Sequence, residues 1–131
     1  MKILLKKNPY FKKLFFLTVI IVFIFAIVPT GQISFHPYYD DKIKHFIAFF
    51  TLSFLLNRSS SSIEHRLRNM GALLLFGIFI EFIQYFVPDR QSSINDVIAD
   101  FIGIIFFQIT YALLKFIQGL LQSRKVKSKS L

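Results

Sequence analysis

The chain has 131 residues, enough for one domain, and 54% of them are hydrophobic, with a mean hydropathy of +0.56. That balance excludes an ordinary soluble domain, and the lack of cysteine excludes disulfides. A net charge of +9 invites a nucleic-acid reading, but the charges are placed as in a membrane protein.

Four apolar segments follow one another. The first, residues 14–28 (LFFLTVIIVFIFAIV), is preceded by KKNPYFKK. A basic head and an apolar core also describe a signal peptide, but Pro29 directly after the apolar run disfavours cleavage, so a retained anchor is expected. The second, residues 43–56, is short, and by length alone it also suits a re-entrant helix. The third and fourth, residues 70–87 and 97–117, match the roughly 20 residues a helix needs to cross the hydrocarbon core. Residues 57–69 (NRSSSSIEHRLRN) read as a polar connector and the tail SRKVKSKSL as disordered.

The cations decide how many segments cross. Lys2, Lys6, Lys7, Lys12 and Lys13 precede the first segment. Arg58, Arg66 and Arg68 lie between the second and third. Lys115, Arg124, Lys125, Lys127 and Lys129 lie at or after the end of the fourth. Positive residues stay in the cytoplasm during insertion, and all three groups do so only if every segment crosses. Thirteen of the 16 Lys and Arg then fall inside, leaving Lys42, Lys44 and Arg90 outside. The expected fold is all-α: an integral membrane four-helix bundle with both termini cytoplasmic. Residues 1–13 are its basic N-terminus, 14–118 the membrane domain and 119–131 a basic tail. The charge then reports topology and attraction to lipid, and no nucleic-acid partner is expected.

An ionisable group deep in a span is costly and marks a functional candidate. Glu81 lies about seven residues inside Pro88, or ~10 Å along the helix. Gly77, Glu81 and Gln84 share its face. The plain alternative is a neutral glutamate bridging two helices by one hydrogen bond. Asp96 and Asp100 are four apart at the head of the fourth segment, with Gly103 a turn further on. Asp96 suits a helix cap, supported by Ser92, Ser93 and Asn95; Asp100 lies a full turn inside and does not. At the outer end of the second segment, Asp41 and His45 are four apart with Lys42 between them. His45 alone would pass for an interface histidine, but three spans carry such residues at similar depth.

DKIKHF, EFIQ and DRQSSINDVIADFIG, in that order, resemble the conserved blocks of the VanZ-like family of small bacterial membrane proteins. The matching positions are Asp41, Lys42 and His45; Glu81 and Gln84; Arg90 with Ser92 or Ser93; and Asp96 and Gly103. Asp100 stands where the family usually has asparagine, and Phe106 or Phe107 where a second small residue is common. The resemblance implies a multi-pass protein of the bacterial cytoplasmic membrane with an envelope role; the family's founding member is associated with resistance to the lipoglycopeptide teicoplanin.

Together these readings place Asp41, Lys42, His45, Glu81, Gln84, Arg90, Ser93, Asp96 and Asp100 around one polar pocket open to the outer leaflet. Its expected partner is membrane lipid or an amphiphilic, lipid-linked envelope molecule, with Lys42 and Arg90 for a phosphate or carboxylate. Two rivals remain open. One is an intramembrane enzyme with His45, Glu81, Asp96 and Asp100 as acid, base or metal ligands; the other is a purely structural polar network. No cofactor is expected: His and carboxylates suit a divalent metal, yet the chain has no HExxH or comparable motif. Homo-oligomerisation is left open.

Overall fold

The computed structural model describes residues 9–29, 37–59 and 63–129. The N-terminal lysines Lys2, Lys6 and Lys7 lie outside the described residues, as do residues 60–62 of the connector. The described chain forms four helices: α1 (Pro9–Ile27), α2 (Pro37–Ser59), α3 (Ile63–Gln84) and α4 (Ile94–Lys129). Helix is the form in which an apolar segment satisfies its own backbone without water.

Local chemistry sets the helix ends. Pro9 and Pro37 each open a helix, where the missing N–H costs nothing. α1 closes with the Val28 N–H donating to Ile24 O at 3.0 Å, just before Pro29. Asp40 in the first turn of α2 and Arg58 in its last complement the helix dipole. α4 begins at a serine cap: Ser93 Oγ accepts the Asn95 N–H at 3.2 Å.

The helices alternate in direction. Residues of the C-terminal turn of α1, the first turns of α2 and α4 and the last turn of α3 meet at one end, the site end. At the far end, Arg58 of α2 lies over the Phe11 ring of α1 at 5.0 Å, and Arg66 of α3 lies over the Tyr111 ring of α4 at 4.4 Å. Among the described residues, three helices are long and apolar enough to cross a membrane: α1, α4 and α3 from Glu64. α2 has 23 residues but carries Asp40, Asp41, Lys42 and Lys44 near its start, so composition alone does not mark it as a span.

The core joins Phe49, Leu52, Ile80 and Ile104, all essentially inaccessible. α2 packs most extensively on α4, and Gly103 permits it. A Cβ there would stand 2.6 Å from Phe46 O, closer than any side chain tolerates. The phenylalanines after Gly103 fill space rather than spoil packing. Phe106 meets Phe46 with ring centroids 5.7 Å apart, and Phe107 meets Phe50 at 5.6 Å and Phe54 at 6.1 Å.

Two expectations change. The tail is helical to Lys129 rather than disordered, because it continues a helix already nucleated by the bundle. The connector shrinks, because α2 runs through Ser59 and α3 starts at Ile63. Arg58 and Arg66 are thereby ordered against aromatic rings.

Candidate functional site

All nine residues singled out in the sequence lie at the site end. The innermost element is a histidine between two carboxylates. His45 Nδ1 lies 2.8 Å from Asp100 Oδ1, and Nε2 lies 3.6 Å from Glu81 Oε1. All three residues are buried, Asp100 completely. The His45–Asp100 bond leaves Nε2 as the nitrogen directed at Glu81. Gly77 makes room for this arrangement, since a Cβ there would collide with the Asp100 carboxylate.

Glu81 also reaches forward along the chain. Its Oε2 accepts the backbone N–H of Ser93 at 2.8 Å, tying α3 to the cap of α4. Ser93 thus serves twice, by its hydroxyl as cap and by its N–H to Glu81. Asp96 is buried and pairs with Lys42, with Nζ 2.7 Å from Oδ1. The cap is therefore Ser93, and Asp96, three residues later, is free for a tertiary ion pair.

Arg90 closes the site on the side of α1. Its Nη1 donates to Asp41 Oδ1 at 3.3 Å, its Nε to Val28 O at 3.3 Å and its Nη2 to Phe25 O. A guanidinium over the last carbonyls of a helix satisfies acceptors that have no partner within the helix. Gln84 adds a bond from Nε2 to Ala26 O at 3.3 Å. The turn that delivers Arg90 passes through Asp89 at φ 61°, a left-handed conformation that aspartate accepts better than most residues.

A cavity of about 500 Å³ opens beside these groups. Val22, Phe25, Ile47, Phe49 and Ile80 supply apolar wall; Asp41, Lys44, His45, Gln84 and Arg90 supply the polar side. Of the nine residues, Asp41, His45, Gln84 and Arg90 line it, while Lys42, Glu81, Ser93, Asp96 and Asp100 lie behind them; Glu81 Oε1, Gln84 Oε1 and Asp100 Oδ2 are buried acceptors with no hydrogen-bond partner among the described residues. Asp41, His45 and Asp96 each bring one ligand-capable atom within 4.8 Å of the others. Arg90 and Lys42 already neutralise two of those three, so the donor set serves ion pairing at least as well as a metal.

Sequence reasoning missed the part played by α1. Its contribution is made by backbone carbonyls of Phe25, Ala26 and Val28, which have no side-chain signature. Lys44, counted in the sequence only among the outer cations, lines the cavity. The polar cluster at the far end was also missed. There Arg66 Nη2 donates to Gln108 Oε1 at 2.7 Å beside Ser53, Asn57 and Asn69. The polar residues spaced along α2 and α4 at Ser53, Asn57 and Gln108 were the available signal.

The sequence profile of the VanZ/LLP1 family matches residues 5–115, which includes every residue of the site. No significant match links the chain to a curated protein or to a solved structure.

Proposed function

The chain belongs to the VanZ/LLP1 family, and from that premise we propose that it binds an amphiphilic cell-envelope molecule at its site end. In this reading it is a multi-pass protein of the bacterial cytoplasmic membrane with both termini in the cytoplasm. Its site faces the outer leaflet, and its activity contributes to lipoglycopeptide (teicoplanin) resistance. The observation that carries the reading is the cavity: apolar on most of its wall and charged on one side. A cavity of about 500 Å³ is of the size that holds small ligands. An acyl or isoprenoid segment suits Phe25, Ile47 and Ile80. A phosphate or carboxylate suits Arg90 and Lys44. Arg90 gives two of its three contacts to neutral carbonyls, and a phosphate or carboxylate would offer the guanidinium a bidentate ionic partner in their place.

Two measurements test this. A C-terminal reporter active only outside the cytoplasm should be silent, and a strong signal would overturn the topology. Glu81→Gln keeps shape and hydrogen-bonding capacity but removes the carboxylate. At matched expression it should fold normally and lose any teicoplanin tolerance the wild-type protein confers. A fully active Gln variant would assign Glu81 to structural glue.

One observation favours a second reading, chemistry on a lipid-linked substrate. His45 lines the cavity, is held at Nδ1 by Asp100 and points Nε2 toward Glu81. That geometry suits a general base whose orientation is fixed by a carboxylate. Turnover of a lipid-linked substrate by wild type but not by His45→Gln would support it. Metal analysis of purified protein would separate a metal-dependent version through Asp41, His45 and Asp96 from one run by His45 alone.

A further inference from the structure

α4 outruns its neighbours. Arg66, in the first turns of α3, reaches Gln108 and Tyr111 of α4, so α3 begins near that level. The last buried residue of α4 is Phe107. From Tyr111 the helix continues another 18 residues to Lys129, about 27 Å at 1.5 Å per residue.

The character of the helix changes at that level. Before Tyr111 its outward residues are apolar: Ile98, Phe101, Ile102, Phe106 and Ile109 are all exposed. This is the surface of a helix surrounded by hydrocarbon. Beyond Tyr111, at 100° per residue, Leu113, Phe116, Ile117 and Leu120 fall on one side, with Leu114 and Leu121 at its edge. Lys115, Gln118 and Gln122 fall on the opposite side. The apolar side is bare, with Leu113 56%, Phe116 65% and Leu120 50% exposed. Arg124, Lys125, Lys127 and Lys129 follow, and the chain has no Asp or Glu after Asp100. A helix with one bare apolar side and a cluster of cations beyond it is the pattern of a segment held at a membrane interface.

We propose that residues 112–129 form an interfacial anchor, with the apolar side bedded in the leaflet at the far end of the bundle and the cations on anionic lipid headgroups. Charge complementarity selects this occupant. Five cations without an acid suit an anionic surface, which attracts basic residues near it. A second copy of the chain fits poorly. Arg124 and Lys127 follow Leu113, Ile117 and Leu120 on the same side; at the end of the helix their long side chains can snorkel to headgroups, whereas two paired copies would set these cations against each other.

The chain has no cysteine, so single labels are simple to place. Full-length Leu120→Cys and Gln122→Cys, each spin-labelled, are reconstituted in nanodiscs of phosphatidylcholine with or without phosphatidylglycerol. Collision with oxygen and with a water-soluble nickel chelate reports the surroundings of each label. With phosphatidylglycerol present, the oxygen preference should be several-fold greater at 120 than at 122. That contrast should fall by at least half in phosphatidylcholine alone, and likewise when Arg124, Lys125, Lys127 and Lys129 are all replaced by Gln. Equal water access at both positions in phosphatidylglycerol overturns the proposal. So does a contrast that ignores both lipid charge and the four substitutions. Spin–spin coupling between Leu120→Cys labels on two copies would instead assign the face to self-association.

Discussion

Both ends of this bundle bury polar side chains, but they do so differently. At the site end, acids and bases from α2, α3, α4 and the α3–α4 turn pair across helices: Lys42 with Asp96, His45 with Asp100, Arg90 with Asp41. They stand beside a space of about 500 Å³. At the far end, Arg66 bonds an amide and lies over a tyrosine ring. The space there is about 10 Å³, the size of a water molecule, and its lining holds no acid. Both ends leave buried polar atoms without a hydrogen-bond partner among the described residues: Ser53 Oγ, Asn57 Oδ1 and Arg66 Nε at the far end, and Glu81 Oε1, Gln84 Oε1 and Asp100 Oδ2 at the site end. What differs is room and charge: the site end sets its ion pairs beside an open cavity, whereas the far end closes to little more than one water and holds no acid in its lining.

The harshest test of the comparison removes the frame that both ends share. Gly103→Ala places a Cβ against Phe46 O, a backbone atom that cannot turn aside. Overpacking of this kind costs about 3 kcal/mol at the upper end of the usual range. Thermal unfolding in detergent should show a large loss of stability, and ligand retention should go with it. An unchanged unfolding temperature would mean that α2 and α4 are not held at this distance.

The next test separates the ends. Glu81→Gln should leave unfolding within about 0.5 kcal/mol of wild type, as a conservative exchange does where hydrogen bonding is kept, yet reduce ligand retention at least tenfold. Arg66→Met should do the reverse. It strands Gln108 Oε1 at a cost of about 1–2 kcal/mol and leaves retention unchanged. Equal behaviour of the two variants would erase the distinction drawn here.

Arg90→Lys sharpens the account of the site itself. A single ammonium cannot replace three N–H groups aimed at Phe25 O, Val28 O and Asp41. Retention should fall several-fold while expression stays normal. Asp89 should give the smallest effect. Asp89→Gly relieves the left-handed conformation at φ 61°, whereas Asp89→Val should cost about 1–2 kcal/mol. Both are read by thermal unfolding, and equal stability would show that the turn does not depend on that conformation.

How far the sequence foretold this depends on where each signal is carried. Helix number and the convergence of His45, Glu81, Arg90, Asp96 and Asp100 were legible, because ionisable groups at depth stand out against apolar runs. Asp96 was legible as a polar residue at a helix start, but its pairing with Lys42 was not, since Ser93 competes for the same cap. The carbonyls of α1 had no side chain to announce them. Gly103 was noted for its spacing from Asp100, while its role as the point of closest approach is visible only when α2 is in place. The helical tail was misjudged because its local composition resembles disorder, and only the preceding span shows that a helix is already under way.

The central claim is that the charged end and the apolar cavity form one binding unit. Native mass spectrometry of the protein released from native-lipid nanodiscs tests it most directly. The account predicts a stoichiometric adduct on wild type and on Arg66→Met. The adduct should be lost from Arg90→Ala and from Ala48→Trp, which fills the cavity that Ala48 lines. An adduct that survives in both of these folded variants would contradict the claim, as would a wild-type protein that carries none.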